Sequence, residues 1–178
     1  MIDTTHYASP LGDILLAGRG EGLIGLWIEG QKYFLGSQTG EVIERETPIL
    51  AQTKAWLDRY FSGGRPAISE LTLAPDGSEF RQAVWEILRR IPYGETTTYG
   101  AIASELAART GRTKLSAQAV GGAVGHNPIS IIVPCHRVVG AGGSLTGYAG
   151  GIDKKIWLLA HEGVDLARFF TPKKGTAL

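Results

Sequence analysis

Cysteine occurs once in the 178-residue chain, as Cys135, so no intramolecular disulfide can form and no multi-cysteine zinc cage can be built. That usage predicts a reducing, cytoplasmic setting. No apolar run approaches the roughly 20 residues that a membrane span needs. The opening stretch MIDTTHYASPLGD lacks the basic-then-apolar pattern of a secretory signal. There is no internal repeat and no low-complexity tract. What remains, 43% hydrophobic and 20% charged residues, is the composition of a globular protein. The length suits one large domain or two small ones, and either can bury a core.

The net charge of +1 conceals an asymmetry. Residues 1–77 carry 6 Lys and Arg against 10 Asp and Glu, whereas residues 78–178 carry 12 against 7. A basic second part is where a polyanionic partner would bind, although scattered surface charge gives the same totals. The first 35 residues read as β, with GDILLAG and GLIGLWI split by the hairpin signal RGEG. PILAQTKAWLDRYFSGG reads as a helix opened by Pro48 and stopped at Gly63–Gly64. RPAISELTLAPDG then reads as an extended linker, which places a domain boundary after Gly77.

The second part reads as mostly helical. Ser78 caps EFRQAVWEILRRI, where Phe80, Val84, Ile87, Leu88 and Ile91 keep helical spacing. Thr98 caps YGAIASELAAR, and Ser116 caps the short helix AQAVGGAVG after a TGRTK loop. Helix, turn and helix over this length are compatible with a helix-turn-helix DNA-binding unit. The second of these helices offers one long polar side chain, Gln118, for reading base edges. Its Gly121, Gly122 and Gly125 each cost about 1 kcal/mol of helix propensity against alanine. Small residues allow close approach to another backbone, which is either a neighbouring helix or a nucleic acid. NPISIIVP follows as a strand-like run that delivers Cys135 just past its end. After the glycine-rich loop AGGSLTGYAGG, DKKIWLLAHEG reads as a helix capped by Asp153 and closed at Gly163.

A thiolate is a strong nucleophile, and its activation needs a base or cation nearby. His136, His126, His161 and the carboxylate of Glu162 are the candidates. Neighbours on an extended chain point to opposite faces, so His136 would act on Cys135 through a water, with Glu162 fixing its tautomer. The alternative is a lone cysteine serving as a small core hydrophobe. Residue types alone leave both open.

The stretches IIVPCHRVVG, GHNPIS, SLTGYAGG and KKIWLLAHEG, with FRQAVWEILRRIPYGETTTYGAIA before them, resemble the O6-alkylguanine-DNA alkyltransferases (methylated-DNA–protein-cysteine S-methyltransferases). The likeness runs from about Phe80 to Gly163 and extends more loosely to SPLGDILLAG. It implies an α/β fold: a ribonuclease H-like N-terminal sheet-and-helix domain over 1–77, then a winged-helix-like domain with a helix-turn-helix over 78–178. It implies DNA repair by stoichiometric transfer of an alkyl group from O6-alkylguanine, and possible action on O4-alkylthymine, in duplex DNA to Cys135. The base leaves the stack, no cofactor or metal takes part, and the protein acts as a monomer.

The same resemblance assigns roles. Cys135 is the nucleophile, His136 its base through water, and Glu162 orients the histidine. Asn127 is a hinge between the recognition helix and the active-site segment. Tyr99 crowds a phosphate and protonates the guanine at N3. Tyr148 and the backbone near Val138 and Ala149 line the base pocket. Ser116, Gln118 and Gly122 belong to the DNA-docking surface.

Two features depart from the pattern. Gln118 stands where the family often carries an arginine finger, which predicts weaker DNA affinity or a different wedge helped by Arg112 or Lys114. The ARTGRTK loop is longer than in some relatives. Two other functions compete. One is a catalytically silent alkyltransferase-like sensor, which would have replaced the cysteine. The other is a Cys-His-Glu hydrolase, which would leave the DNA-docking helix without a purpose.

Overall fold

Three consecutive strands, β1 (Ile2–Ser9), β2 (Gly12–Arg19) and β3 (Gly22–Ile28), form an antiparallel meander in the computed structural model, which describes residues 1–36 and 38–173. A short fourth strand, β4 (Val42–Glu44), pairs in parallel with β1, giving the order β3-β2-β1-β4. The sequence reading did not anticipate this strand. Its three residues, Val42, Ile43 and Glu44, are too few to show a period of two. All seven residues of β3 are buried, which explains its unbroken apolar run. Gly25 is required there: a Cβ would lie 1.9 Å from the Trp27 ring. Helix α1 (Pro48–Phe61) opens on Pro48, as the sequence suggested, and buries Leu50, Trp56, Leu57 and Tyr60.

By its internal contacts the chain divides into two compact units, residues 1–76 with 128–132, and residues 77–127 with 133 onward. The segment Pro128–Ile132 therefore belongs to the first unit. The Leu26 amide donates to the Pro128 carbonyl (2.8 Å) and the Ser130 amide donates to Leu26 (3.2 Å). The expected strand across NPISIIVP is not formed. A single bridge joins Leu26 to Ile129, and the chain then turns, with Ile131 at φ +71°. Pro128 and Pro134 carry no N–H, so neither end of the run can extend a ladder.

The second unit is mostly helical. Its helices are α2 (Glu79–Arg89), α3 (Tyr99–Thr110), α4 (Ala117–Gly125) and α5 (Ile152–His161). Ser78, Thr98 and Ser116 cap the first three, accepting from the amides of Arg81 (3.3 Å), Ala101 (3.0 Å) and Ala119 (3.0 Å). Asp153 does not cap α5. Gly151 holds that position at φ +101°, and Asp153 lies inside the first turn. Helix α3 ends on left-handed Gly111, and the 112–115 loop leads into α4. The indole N–H of Trp85 on α2 donates to the Ala123 carbonyl of α4 (2.8 Å). Two short parallel strands, β5 (Thr97–Thr98) and β6 (Val138–Val139), join the start of α3 to the chain just after Cys135.

Candidate active site

Cys135 begins a single 3-10 turn, Cys135–Arg137, entered from Pro134. Its amide donates back to the Val133 carbonyl (2.8 Å), so the thiol sits on a tight turn rather than a strand end. The turn is buried: Cys135 is 5% exposed, His136 not at all, and Arg137 7%. The β5–β6 pairing brings Tyr99 to this turn from nearly 40 residues earlier in the chain, because Thr98 pairs with Val139. Helix α5 supplies the other wall. Its inner face carries Lys155, Leu158 and Leu159 at helical spacing, and Glu162 follows at its end.

His136 and Glu162 form a buried pair, with Nε2 2.9 Å from Oε2. A carboxylate accepting from Nε2 places the ring proton there and leaves Nδ1 with a lone pair. Nδ1 is buried and has no hydrogen-bond partner among the described residues. The ring can therefore accept a proton at Nδ1 while Glu162 steadies it. Burial lowers the histidine pKa, as do the Arg137 and Lys155 charges, against the raising effect of Glu162. The Glu162 carboxyl is held below its ordinary value: burial opposes this, but His136 and Arg137 outweigh it.

Burial pushes the Cys135 thiol up, while a hydrogen bond from the Asn127 side chain and the nearby Lys155 charge pull it down. The net rise keeps the resting thiol protonated, so its reaction needs a base. Asn127 directly follows α4 and its cap. Its Nδ2 donates to the Val133 carbonyl (2.8 Å), tying the end of that helix to the cysteine turn. Tyr99 is buried and its hydroxyl donates to the carbonyls of Thr146 (3.1 Å) and Gly147 (3.2 Å). Burial, reinforced by the Cys135 charge, raises its pKa, so the phenol stays a hydrogen-bond donor.

Both halves of the chain match one family. Residues 79–164 match the "6-O-methylguanine DNA methyltransferase, DNA binding domain" and residues 2–75 its "ribonuclease-like domain". A methylated-DNA–protein-cysteine methyltransferase of Mycolicibacterium paratuberculosis is 46% identical over 165 residues, 91% of this chain and 93% of that one. The Haemophilus influenzae protein of the same name is 41% identical over 158 residues, covering 89% and 84%. The crystal structure of Mycobacterium tuberculosis OGT in complex with DNA superposes with a TM-score of 0.77 at 39% identity, covering 94% of each chain. The chain belongs to the methylated-DNA–protein-cysteine methyltransferase family.

Family membership makes the placement of the remaining residues informative. Ser116 and Gln118 are exposed at the start of α4, and Arg112 and Lys114 are exposed in the loop before it. Gly122 is exposed too, and a Cβ added at Gly122 or Gly125 would meet nothing within 4 Å. Packing within the chain therefore does not require these glycines. Val138 is buried and its carbonyl already accepts from Lys155, whereas Ala149 is half-buried and Tyr148 buried in the 141–151 loop. Of the other two candidate bases, His126 has its Nδ1 against the Gly122 carbonyl (2.7 Å), and the His161 ring stacks on Trp157. Among the described residues no group of three or more His, Cys, Asp or Glu could hold a metal ion. Among the described residues no helix is long and apolar enough to cross a membrane.

Sequence reasoning missed two residues of this methyltransferase site. Lys155 is completely buried, its Nζ donating to the carbonyls of Val138 and Thr146 (2.9 Å to the latter), and burial lowers its pKa to about 8. Arg137 grips Glu162. The available signal was periodicity: Lys155, Leu158, Leu159 and Glu162 share one helical face, which puts a lysine among core residues.

Proposed function

We propose that this protein repairs DNA by moving an alkyl group from O6-alkylguanine in a duplex onto Cys135. The observation that carries the reading is Asn127. One side chain links the last turn of an exposed, glycine-bearing helix to the buried thiol, so a helix suited to docking on DNA is mechanically joined to a nucleophile. A Cys-His-Glu hydrolase has no use for that link, and a silent sensor has no use for the thiol.

In the reaction, His136 Nδ1 takes the thiol proton through a water while Glu162 holds Nε2. The sulfur then attacks the alkyl carbon. The carbon–oxygen bond breaks, its electron pair stays with the guanine, and the base recovers a proton as the product leaves. The buried Lys155 charge, held by the Val138 and Thr146 carbonyls, favours the thiolate. The guanine must leave the stack, since its O6 lies out of reach inside the helix. Tyr99 would donate to the flipped base once its hydroxyl turns from the Thr146 and Gly147 carbonyls, and Tyr148 and the Ala149 backbone would line the pocket. Docking by small residues through the minor groove needs little base readout, which suits α4. A thioether has no easy hydrolytic exit, so each chain acts once, as a monomer.

Chromatography of the bases after incubation with an O6-methylguanine duplex tests this. Guanine should be restored within the DNA in proportion to the protein added, with no methylated base released. Release of free O6-methylguanine, or turnover beyond the protein present, would overturn it.

A further inference from the structure

Arg137 adjoins the reacting pair, yet the mechanism above does not use it. Its Nε donates to both oxygens of Glu162 (2.8 and 3.1 Å), Nη2 donates to Oε1, and Nη1 donates to the Ile91 carbonyl (2.6 Å). The guanidinium lies 5.7 Å from the centre of the Tyr93 ring. Four contacts and 7% exposure make this a fixed guanidinium rather than a surface ion pair. The same Oε2 that faces Arg137 Nε also faces His136 Nε2 (2.9 Å), so one carboxylate serves both residues. Of the titratable and charged groups, His136 and Arg137 act on Glu162, the Lys155 charge acts on His136 and Cys135, and the Tyr93 ring lies against Arg137.

A buried carboxylate with histidine as its sole partner would raise the proton affinity of that imidazole strongly. An imidazole already protonated cannot take a proton from a thiol. We infer that Arg137 is a positioning residue: it locks Glu162 as an oriented anion and shares its charge, so that His136 stays neutral with Nδ1 open toward the thiol proton. The lowering of the histidine by burial and by the Arg137 charge runs in the same direction. This inference rests on the reading of Cys135 as acceptor and His136 as its base.

The test compares wild type, Arg137→Gln and Arg137→Lys in single-turnover transfer from an O6-methylguanine duplex between about pH 5.5 and 9, with duplex affinity measured alongside. Loss of a like charge beside an imidazole raises its pKa by about one unit or more. Arg137→Gln should therefore carry the acid limb up by about one unit. Its rate should fall most at the acid end of the range, by up to about tenfold, recover to within about twofold near pH 8.5, and leave duplex affinity unchanged. Arg137→Lys keeps the charge and should lie between the two. A uniform loss at every pH, or an unmoved limb, would mean a merely structural arginine and overturn the inference.

Should the glutamine variant fail to fold, nitrogen-15 NMR of His136 in wild type and Arg137→Lys decides instead, the lysine variant titrating above wild type if the arginine matters and with it if burial alone sets the value. A neutral ring protonated at Nε2 and titrating below the ordinary value of about 6.5 supports the inference, and titration above about 7 overturns it. A wild type that transfers nothing sinks the acceptor reading alone, because the imidazole titration still decides the role of Arg137.

Discussion

Replacing Gly122 by alanine should move stability and DNA affinity in opposite directions. Gly122 lies on the exposed face of α4, and the space around a new Cβ is open to 4 Å. The free protein should gain about 0.5–1 kcal/mol, because alanine is the better helix former and restricts the unfolded chain. For a chain of this size that is an increase in Tm of about 2–4 °C per kcal/mol. On DNA the same methyl would enter a close backbone contact, where overpacking costs about 1–3 kcal/mol. That is a loss of about five- to 150-fold in Kd. Thermal denaturation and fluorescence anisotropy at one fixed salt concentration read the two effects. A raised Tm with unchanged Kd would show that this face of α4 does not meet DNA, and a lowered Tm would show that the glycine is needed inside the fold.

Cys135→Ser should bind an alkylated duplex as wild type does and lose transfer, checked by gel shift and by base analysis. Gln118→Arg should tighten duplex binding and steepen the salt dependence of log K by about 0.9 for one new phosphate contact, read from titrations over a salt series. Lys155→Met should slow iodoacetamide alkylation of Cys135 about tenfold near neutral pH by removing a cation that favours the thiolate, and should lower Tm because the Val138 and Thr146 carbonyls lose this donor; an unchanged rate would remove Lys155 from the account. Stability should fall with acid in two windows. Folded His136 titrates below its unfolded value of about 6.5, so the unfolded chain binds the extra proton and stability is lost as pH falls from there. Glu162, also lowered in the fold, adds a second loss below its unfolded value of about 4.3. Denaturant titrations from about pH 7 to 3 should show both, and the Glu162 loss should vanish in Glu162→Gln.

Legibility followed the range of each interaction. Ser78, Thr98 and Ser116 announce their helices because a cap is a local bond, three residues long. The His136–Glu162 pair was readable through residue type and family likeness, although 26 positions separate its members. The strand expected across NPISIIVP failed because a buried apolar run looks alike whether it extends or turns, and the i→i−2 bonds of Ile132 and Cys135 leave no periodic trace. The β5–β6 pairing that sets Tyr99 beside the cysteine turn is two residues long and non-local, so nothing in TTTYG or RVVG marks it. Arg137 had no role that the sequence could assign, and Lys155 drew no attention within DKKIWLLAHEG. Only the fold shows that one is bound to a buried carboxylate and the other to the carbonyls of Val138 and Thr146.

The central claim is that Cys135 itself receives the alkyl group, once. Mass spectrometry of the digested protein after incubation with excess O6-methylguanine duplex tests it most directly. The account predicts one methyl group in place of the thiol hydrogen on the peptide bearing Cys135, at one equivalent per chain and on no other peptide. An unmodified Cys135 peptide with repaired DNA, or the methyl on another residue, would contradict it.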